Sequence, residues 1–420
     1  MVKTYVFMFG IADIVAGGPI YDCNKIRYLK EIGWTVNVLP TNSGNIFIEP
    51  LKEYSNQSFS FIATSPFVFS KEELEEKLAL LAANVNISEE IVIETGTDYT
   101  ALWGELLAKK LNAKHIIIFL DEKNPNVNKH TAQFYKFKYD RNELASISMK
   151  SLKHIFENYF ELSNPDRHVL SAICSNTVAN IESDIIKKIP KGDYVIGSIG
   201  RLDKPFVSEI IEGICDFAYE FKDKKISVCL FGGADEAVIC NIKNKLQSVS
   251  NIEYYISGYI WPIPKEVFEN VDIFISAAGS ARASANQNVP TIRMSVIDYQ
   301  PEGILYNLDT WESIVLNKNS PSVCDYLRAV LIDGMKVSIQ GTIPIDEEWK
   351  WVKSNFDKHM QFYENSSKNK EYYPTNKIWN GYKRTLIKKI IFLFINSEKI
   401  SFLKKLKKIG ENFNFGKNNR

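Results

Sequence analysis

Two cations near the middle of the chain lie in a glycine-containing segment that could bind a diphosphate. Arg201 and Lys204 follow an apolar run over 194–199 and Gly200, and a helix-like segment begins at Val207. A glycine turn before a helix leaves backbone N–H groups free to meet an anion, and the helix dipole favours negative charge there. Arg201 and Lys204 would supply the positive charge. The alternative is that both are solvated at a helix N-terminus, although cations without an anion are disfavoured at that end.

A second junction of the same kind opens the chain. Gly17 and Gly18 come after an apolar run over 5–9 and before a helix-like segment over 21–32. Two strand–glycine–helix junctions about half a chain apart predict two Rossmann-like domains that face a shared cleft.

Three carboxylates follow predicted strands of the first half and could accept a proton from a hydroxyl nucleophile. Glu94 and Asp98 end the strand at 91–94, and Glu122 ends the strand at 115–120. The carboxyl ends of strands in a doubly wound sheet face the cleft, which makes these residues candidate catalytic bases. The alternative for Asp98 is an N-cap of the helix at 99–111, and for Glu94 and Glu122 it is a solvated surface position.

Strands and helices alternate over the 420 residues, which predicts parallel sheets covered by helices. We expect an α/β fold with a first domain over 1–190, a second over 191–345, a helical return segment over 346–380 and a tail over 381–420. The first domain would carry strands at 5–9, 35–39, 59–62, 91–94 and 115–120. The second would carry strands at 194–199, 225–231, 252–256, 272–275 and 291–294.

The tail differs from the body of the protein in charge. Residues 381–420 contain 11 Lys and Arg against 2 Asp and Glu, so the remaining residues carry a net charge of −8. Residues 384–409 read as a basic amphipathic helix, a pattern typical of contact with an anionic membrane surface. Docking of the apolar stripe on the enzyme itself and nucleic-acid binding are the alternatives, the last being the least favoured. The six scattered cysteines form no CxxC pair, and we expect a cytoplasmic protein with no metal site.

Several ordered segments over residues 4–345 resemble those of bacterial glycosyltransferases with the GT-B fold, of the kind found near family 4. They read GGPIYDCNKIRYLKEIGWTVNVL, VIGSIGRLDKPF, VCLFGGADE and NVPTI. The resemblance implies a second domain that binds a nucleotide-sugar and a first domain that binds the acceptor. It further implies a diphosphate held by Arg201 and Lys204 without a metal ion, and a glycine turn at Gly232 and Gly233.

One position departs from the family's pattern. Ala283 falls where the family usually has a glutamate that binds the ribose hydroxyls. Gly279 and Ser280 could still offer hydrogen bonds, Arg282 could add a third cation, and Glu302 could supply the missing carboxylate from the next loop.

The resemblance and the tail together predict a metal-independent hexosyltransferase of bacterial surface-polysaccharide synthesis, such as capsule or lipopolysaccharide. Its expected partners are a nucleotide-sugar donor, a glycan or polyprenyl-linked acceptor, and the inner face of the plasma membrane; no cofactor and no nucleic acid are expected. Two alternatives stay open: a nucleotide-sugar epimerase, and a non-catalytic GT-B-like partner of another transferase.

Overall fold

The computed structural model describes residues 2–10, 14–42, 46–96, 98–120, 127–171, 173–174, 177–375 and 378. The predicted amphipathic helix of the tail at 384–409 lies outside these residues. Among the described residues no helix is long and apolar enough to cross a membrane.

The first domain is a five-stranded parallel sheet with strand order β2-β1-β3-β4-β5. Its elements are β1 (Lys3–Phe9), α1 (Gly17–Glu31), β2 (Thr35–Pro40), α2 (Lys71–Ala83), β3 (Glu90–Thr95), α3 (Asp98–Leu111), β4 (Lys114–Phe119), α4 (Lys129–Asp140), β5 (Leu144–Ser146) and α5 (Met149–Phe156). Buried side chains run almost without interruption along β1, β3 and β4, as expected for parallel strands covered on both faces.

The second domain is a seven-stranded sheet with strand order β14-β13-β12-β11-β7-β8-β9, in which β13 pairs antiparallel with both β12 and β14. Its elements, with two short strands β6 and β10 that pair with each other, are β6 (Val178–Ala179), β7 (Tyr194–Ile199), α6 (Phe206–Glu220), β8 (Ile226–Phe231), α7 (Glu236–Gln247), β9 (Ile252–Ile256), β10 (Ile263–Pro264), α8 (Glu266–Glu269), β11 (Ile273–Ala277), α9 (Ala278–Asn286), β12 (Thr291–Met294), β13 (Pro301–Asn307), β14 (Glu312–Ile314) and α10 (Val323–Leu331).

The last described helix, α11 (Ile345–Glu364), returns to the first domain. Phe356 and Phe362 join a hydrophobic cluster that contains Tyr5 and Tyr21, and the hydroxyl of Tyr28 on α1 donates to Asp357 at 2.6 Å. The chain therefore crosses between the domains twice, and the helical return segment completes the core of the first domain.

The two Rossmann-like domains predicted from sequence are confirmed, with corrections to individual strands. The strand predicted at 59–62 is a 3-10 turn over Ser60–Ala63, because Phe59 and Ile62 are both buried, at a spacing of three residues rather than two. The three-residue strand β5 was not predicted. The antiparallel pair β13 and β14 was not expected either, since sequence alternation had indicated parallel strands throughout.

Candidate functional site

The strand order of the second domain places a crevice between β7 and β11. From β7 the chain proceeds to β8 and β9 on one side, and β11 is followed by β12 on the other. Ligands of open α/β sheets bind outside the carboxyl ends of the strands at such a reversal of order. The segments that leave β7 and β11 here are Gly200-Arg201 and the first turn of α9, which contains Gly279 and Ser280.

The glycine turns after β7 and β8 pack so closely that side chains would not fit. A Cβ atom on Gly232 would lie 1.7 Å from the carbonyl oxygen of Gly200, and one on Gly233 would lie 2.8 Å from the ring of Tyr259. Gly200 itself has a φ of 131°, a conformation that favours glycine. Gly232 and Gly233 therefore lie beside the β7 turn, where they were expected.

The first turn of α9 borders the same crevice. A Cβ atom on Gly200 would lie 3.5 Å from Oγ of Ser280, so the two turns are neighbours. No side chain caps this helix, and no acidic residue lies in its first turn. Its first N–H groups and the positive end of its dipole are therefore suited to an anion. Gly279 and Ser280 are thus brought to the crevice.

Arg201 is held at the crevice by a neighbouring carboxylate. Its Nε and Nη2 donate to the two oxygens of Asp203 at 2.9 and 2.5 Å, and these hydrogen bonds lower the pKa of Asp203. A guanidinium group has five N–H donors, so three are left for another oxygen. The side chain is 27% exposed and can reach a ligand. Asp203 orients Arg201 but also cancels part of its charge.

Lys204 does not share this environment. Its side chain is exposed and lines a depression between α6 and α7, together with Asp203, Asn241 and Lys245. None of the glycine turns contributes to that depression. Arg201 follows the Gly200 turn directly, whereas Lys204 lies at the adjoining depression, which Asp203 also lines.

Arg282 and Glu302 both have contacts of their own. Arg282 is buried, donates from Nη1 to the carbonyl oxygen of Leu308 and lies 4.9 Å from the ring of Trp351. Glu302 is paired with Arg293, Nε to Oε2, at 2.7 Å. The burial and the contacts of Arg282 correct the expectation of a third cation in the donor pocket. Glu302 is 41% exposed despite its ion pair, so its expected role as a replacement carboxylate stays a prediction.

Gly17 and Gly18 begin α1, at the corresponding point of the first sheet. There β1 and β3 are neighbours, and the order reverses between them. No side chain caps α1, and its first turn has no acidic residue. A ring contact connects the domains near this edge: Phe47 of the first domain lies 5.2 Å from Tyr259, which packs on the Gly233 turn. The two carboxyl edges therefore meet at a common interface.

Of the three candidate bases, only Glu94 has a side chain among the described residues. Glu94 is 5% exposed, inside the first domain, where Lys25 contacts it at 2.5 Å and the hydroxyl groups of Tyr5 and Tyr21 donate to it. This corrects both readings of Glu94, because the carboxylate is neither solvated nor open to the cleft. Asp98 begins α3, which agrees with a position near the helix start, but its side chain lies outside the described residues, as does Glu122 altogether.

Two residues beside the glycine turns were missed from the sequence. Asp203 could have been found, since Arg and Asp two residues apart in a turn can form a bidentate pair. Tyr259 carried no local signal, because its contacts with Phe47 and Gly233 are made only by folding.

Comparison with known proteins gives distant structural likenesses alone. No protein-family model matches this chain, and no curated protein sequence is significantly similar to it. The structure of S. aureus MnaA with UDP is 13% identical, the match covering 88% of this chain and 99% of that one, with a TM-score of 0.48. The lipopolysaccharide outer core galactosyltransferase WaaB is 13% identical over 90% and 100% of the two chains, with a TM-score of 0.43. The UDP-GlcNAc 2-epimerase of Methanocaldococcus jannaschii is 15% identical over 70% and 84%, with a TM-score of 0.37. Transferase and epimerase thus both occur among the similar structures, and at these values neither assigns an activity to this chain.

Proposed function

We propose that the protein is a glycosyltransferase that moves a sugar from a nucleotide-sugar donor to a glycan acceptor. One observation carries the proposal: at the crevice between β7 and β11, Gly200 and Gly232, the N-terminus of α9 and the guanidinium group of Arg201 converge. Glycine turns allow close approach of a phosphate, helix N–H groups favour its charge, and an arginine can bind its oxygens in a bidentate manner.

The same arrangement suits the transfer step. The oxygen of the acceptor hydroxyl forms a new bond to the anomeric carbon, and the diphosphate leaves with the electron pair of the old bond. Charge therefore develops on the phosphate oxygens, where Arg201 and the N-terminus of α9 would stabilise it. The proton of the hydroxyl passes to a carboxylate base, for which Asp98 and Glu122 stay the candidates from the sequence. Closure of the first domain, with the Gly17-Gly18 end of α1, would exclude water that competes with the acceptor. No metal ion is assigned in this scheme, and metal independence stays a prediction.

The test is calorimetric titration with UDP, GDP, CDP and dTDP. Arg201→Ala removes charged hydrogen bonds of about 1.5–3 kcal/mol, so the Kd of the preferred nucleotide should rise roughly 10- to 150-fold. Arg328→Ala is the matched control, because Arg328 makes a similar bidentate pair with Glu220 at the carboxyl end of α6. Equal affinity in wild type and Arg201→Ala, or no nucleotide binding at all, contradicts the proposal.

A second candidate, a non-catalytic partner of another transferase, is favoured by the surroundings of Ala283. The space beside Ala283 is about 10 Å³ and is bordered by Arg282, Glu348 and Trp351. That volume holds about one water molecule and no ribose. Incubation with the preferred nucleotide-sugar and a panel of glycan acceptors separates the candidates. A glycosylated acceptor with free nucleotide indicates a transferase, an isomerised sugar indicates an epimerase, and binding without either product indicates the partner role.

We further propose a lipid-linked acceptor, supported by the basic amphipathic pattern at 384–409. Sedimentation of the full chain with vesicles of anionic and of zwitterionic lipid tests this. Exchange of Lys404, Lys405, Lys407 and Lys408 for glutamate should abolish co-sedimentation with the anionic vesicles, because each lysine near the surface contributes about 1 kcal/mol.

A further inference from the structure

The chain that follows α11 is fixed to the first domain beside α4 and α5. Tyr373 and Ile378 are buried, in one hydrophobic cluster with Phe134 of α4 and Phe156 of α5. The basic amphipathic pattern at 384–409 begins six residues after Ile378. A chain spans at most about 3.6 Å per residue, so this pattern starts within about 22 Å of Ile378. A surface that the tail contacts is therefore close to α4 and α5.

The segment 127–168, which contains α4 and α5, differs in charge from the rest of the body. It contains 7 Lys and Arg against 5 Asp and Glu, a net charge of +2, whereas residues 1–380 as a whole carry −8. We call the exposed side of this segment the α4–α5 face. Four of its cations are exposed and make no ion pair with any described residue, namely Lys129, Lys150, Lys153 and Arg167. The face is thus a cationic part of a mildly acidic body.

Most carboxylates of the segment have partners of their own. Asp140 contacts Lys136 at 2.5 Å, and Glu143 lies 3.0 Å from Lys138. Glu157 contacts a histidine of α5 at 2.7 Å. Two carboxylates are without a partner in the described part of the chain, namely Glu161 and Asp166. The unpaired cations therefore outnumber the unpaired carboxylates by two to one, which favours an anionic partner.

An amphipathic helix and an exposed tyrosine belong to the same face. On α5, Leu152 is buried in the core and Lys153 is exposed to solvent. Tyr159 is 38% exposed, and its hydroxyl donates to the carbonyl oxygen of Val127 at 2.9 Å, two residues before Lys129. This hydrogen bond brings the end of α5 to the start of α4, so the tyrosine and the lysines form one surface. A ring with a polar tip suits a boundary between water and an apolar phase.

One end of the α4–α5 face lies at the cleft. Lys150 is the second residue of α5, which begins just after the carboxyl end of β5. A hydrogen bond from Ser295 and, more weakly, the charge of Lys150 lower the pKa of Asp298, a residue of the second domain. A molecule held against this face is therefore next to the opening between the domains.

We propose that the α4–α5 face lies on an anionic membrane surface, with its lysines at the lipid headgroups and the ring of Tyr159 at the boundary. Basic side chains are attracted to such a surface, and an amphipathic helix adds apolar contact. This inference rests on the proposed lipid-linked acceptor and adds the side of the protein that meets the lipid. The sugar end of such an acceptor reaches the cleft beside Lys150 without leaving the membrane surface.

The test is co-sedimentation of the full-length protein with vesicles of phosphatidylglycerol and phosphatidylcholine, and with vesicles of phosphatidylcholine alone. The test variant exchanges three cations of the face for glutamine, namely Lys129, Lys150 and Lys153. The matched control makes the same change of charge at three exposed lysines of the second domain that have no ion pair within the ranges described, namely Lys191, Lys222 and Lys243. We expect the test variant to bind the anionic vesicles roughly 30- to 150-fold more weakly, and the control to change binding less than about threefold.

Hydrogen exchange of the wild-type protein locates the contact. Amides of residues 149–162 should exchange more slowly with the anionic vesicles than without them, because the face is then covered. Vesicles of phosphatidylcholine alone should leave their exchange unchanged. A single-stranded oligonucleotide is the comparison polyanion.

Three results would overturn the proposal: the test variant binds the anionic vesicles as well as the control does, residues 149–162 are not protected, or the oligonucleotide protects them and the vesicles do not. Nucleotide titration keeps these results apart from the proposed function. The test variant should bind the preferred nucleotide with the Kd of wild type, because its three lysines lie outside the crevice between β7 and β11.

Discussion

The buried pair of Lys25 and Glu94 allows a direct test of whether Glu94 is structural. The two side chains are 1% and 5% exposed and lie 2.5 Å apart. At that distance, with an effective dielectric constant of about 20, Coulomb's law gives an attraction of about 7 kcal/mol, part of which desolvation offsets. Lys25→Met leaves the carboxylate without its cation, so we expect the free energy of unfolding of the first domain to fall by about 3–5 kcal/mol.

The same helix supplies the matched control. Lys30 contacts Glu53 at nearly the same distance, 2.6 Å, but these side chains are 50% and 55% exposed. Exposed pairs contribute about 0–1 kcal/mol, so Lys30→Met should change the unfolding free energy by no more than that. Urea unfolding followed by circular dichroism compares the two variants. The double variant Lys25→Met/Glu94→Gln should regain part of the loss, because no buried charge is then left alone.

Two results would refute this reasoning. If Lys25→Met costs no more than Lys30→Met, the pair does not stabilise the fold. If Glu94→Gln has wild-type stability but cannot turn over a donor that it still binds, Glu94 is a catalytic residue, contrary to its burial in the structure.

Two further predictions concern a glycine turn and acid stability. Gly232→Ala should weaken nucleotide binding at least tenfold, because its Cβ would lie 1.7 Å from a backbone oxygen. Gly213→Ala is the control: its Cβ would lie 2.4 Å from a valine on α10, so we expect a loss of stability of about 1–3 kcal/mol and a nucleotide Kd within twofold of wild type. Burial lowers the pKa of His115 from 6.5 to about 4. Burial alone would raise the pKa of Glu105, but nearby cations outweigh it and lower that pKa from 4.5 to about 2. Both groups take up a proton at a higher pH in the unfolded chain than in the folded protein. The free energy of unfolding should therefore fall as the pH drops from about 6.5 to 2. His115→Gln should flatten the part of this loss between pH 6.5 and 4.5, and an unchanged slope there would contradict the assignment.

The glycine turns of the second domain could be predicted because their signals are local. The apolar run over 194–199, Gly200 and the helix that follows are adjacent in sequence, and so are β8 and Gly232. The strand prediction failed where the element was short. The apolar residues at 59–62 resembled a strand, but the buried residues Phe59 and Ile62 follow a 3-10 spacing.

The candidate site could be predicted only in part, because its remaining features are long-range. Nothing near Glu94 in sequence indicates that Lys25, 69 residues away, neutralises it. Arg282 was expected to face phosphates, but one turn of α9 separates it from Gly279, and it points instead to Trp351 of α11. A residue's side of a helix can be estimated from sequence, whereas the neighbour that it meets there cannot.

The return of α11 to the first domain affects the order in which the protein can be made. Phe356 and Phe362 complete the hydrophobic cluster around Tyr5 and Tyr21, and His359 closes the polar group at Lys25 and Glu94. A ribosome releases these residues only after the whole second domain has emerged. The apolar cluster of the amino-terminal half is therefore completed only after the second domain has been synthesised, and apolar surface that stays exposed during synthesis is prone to aggregation.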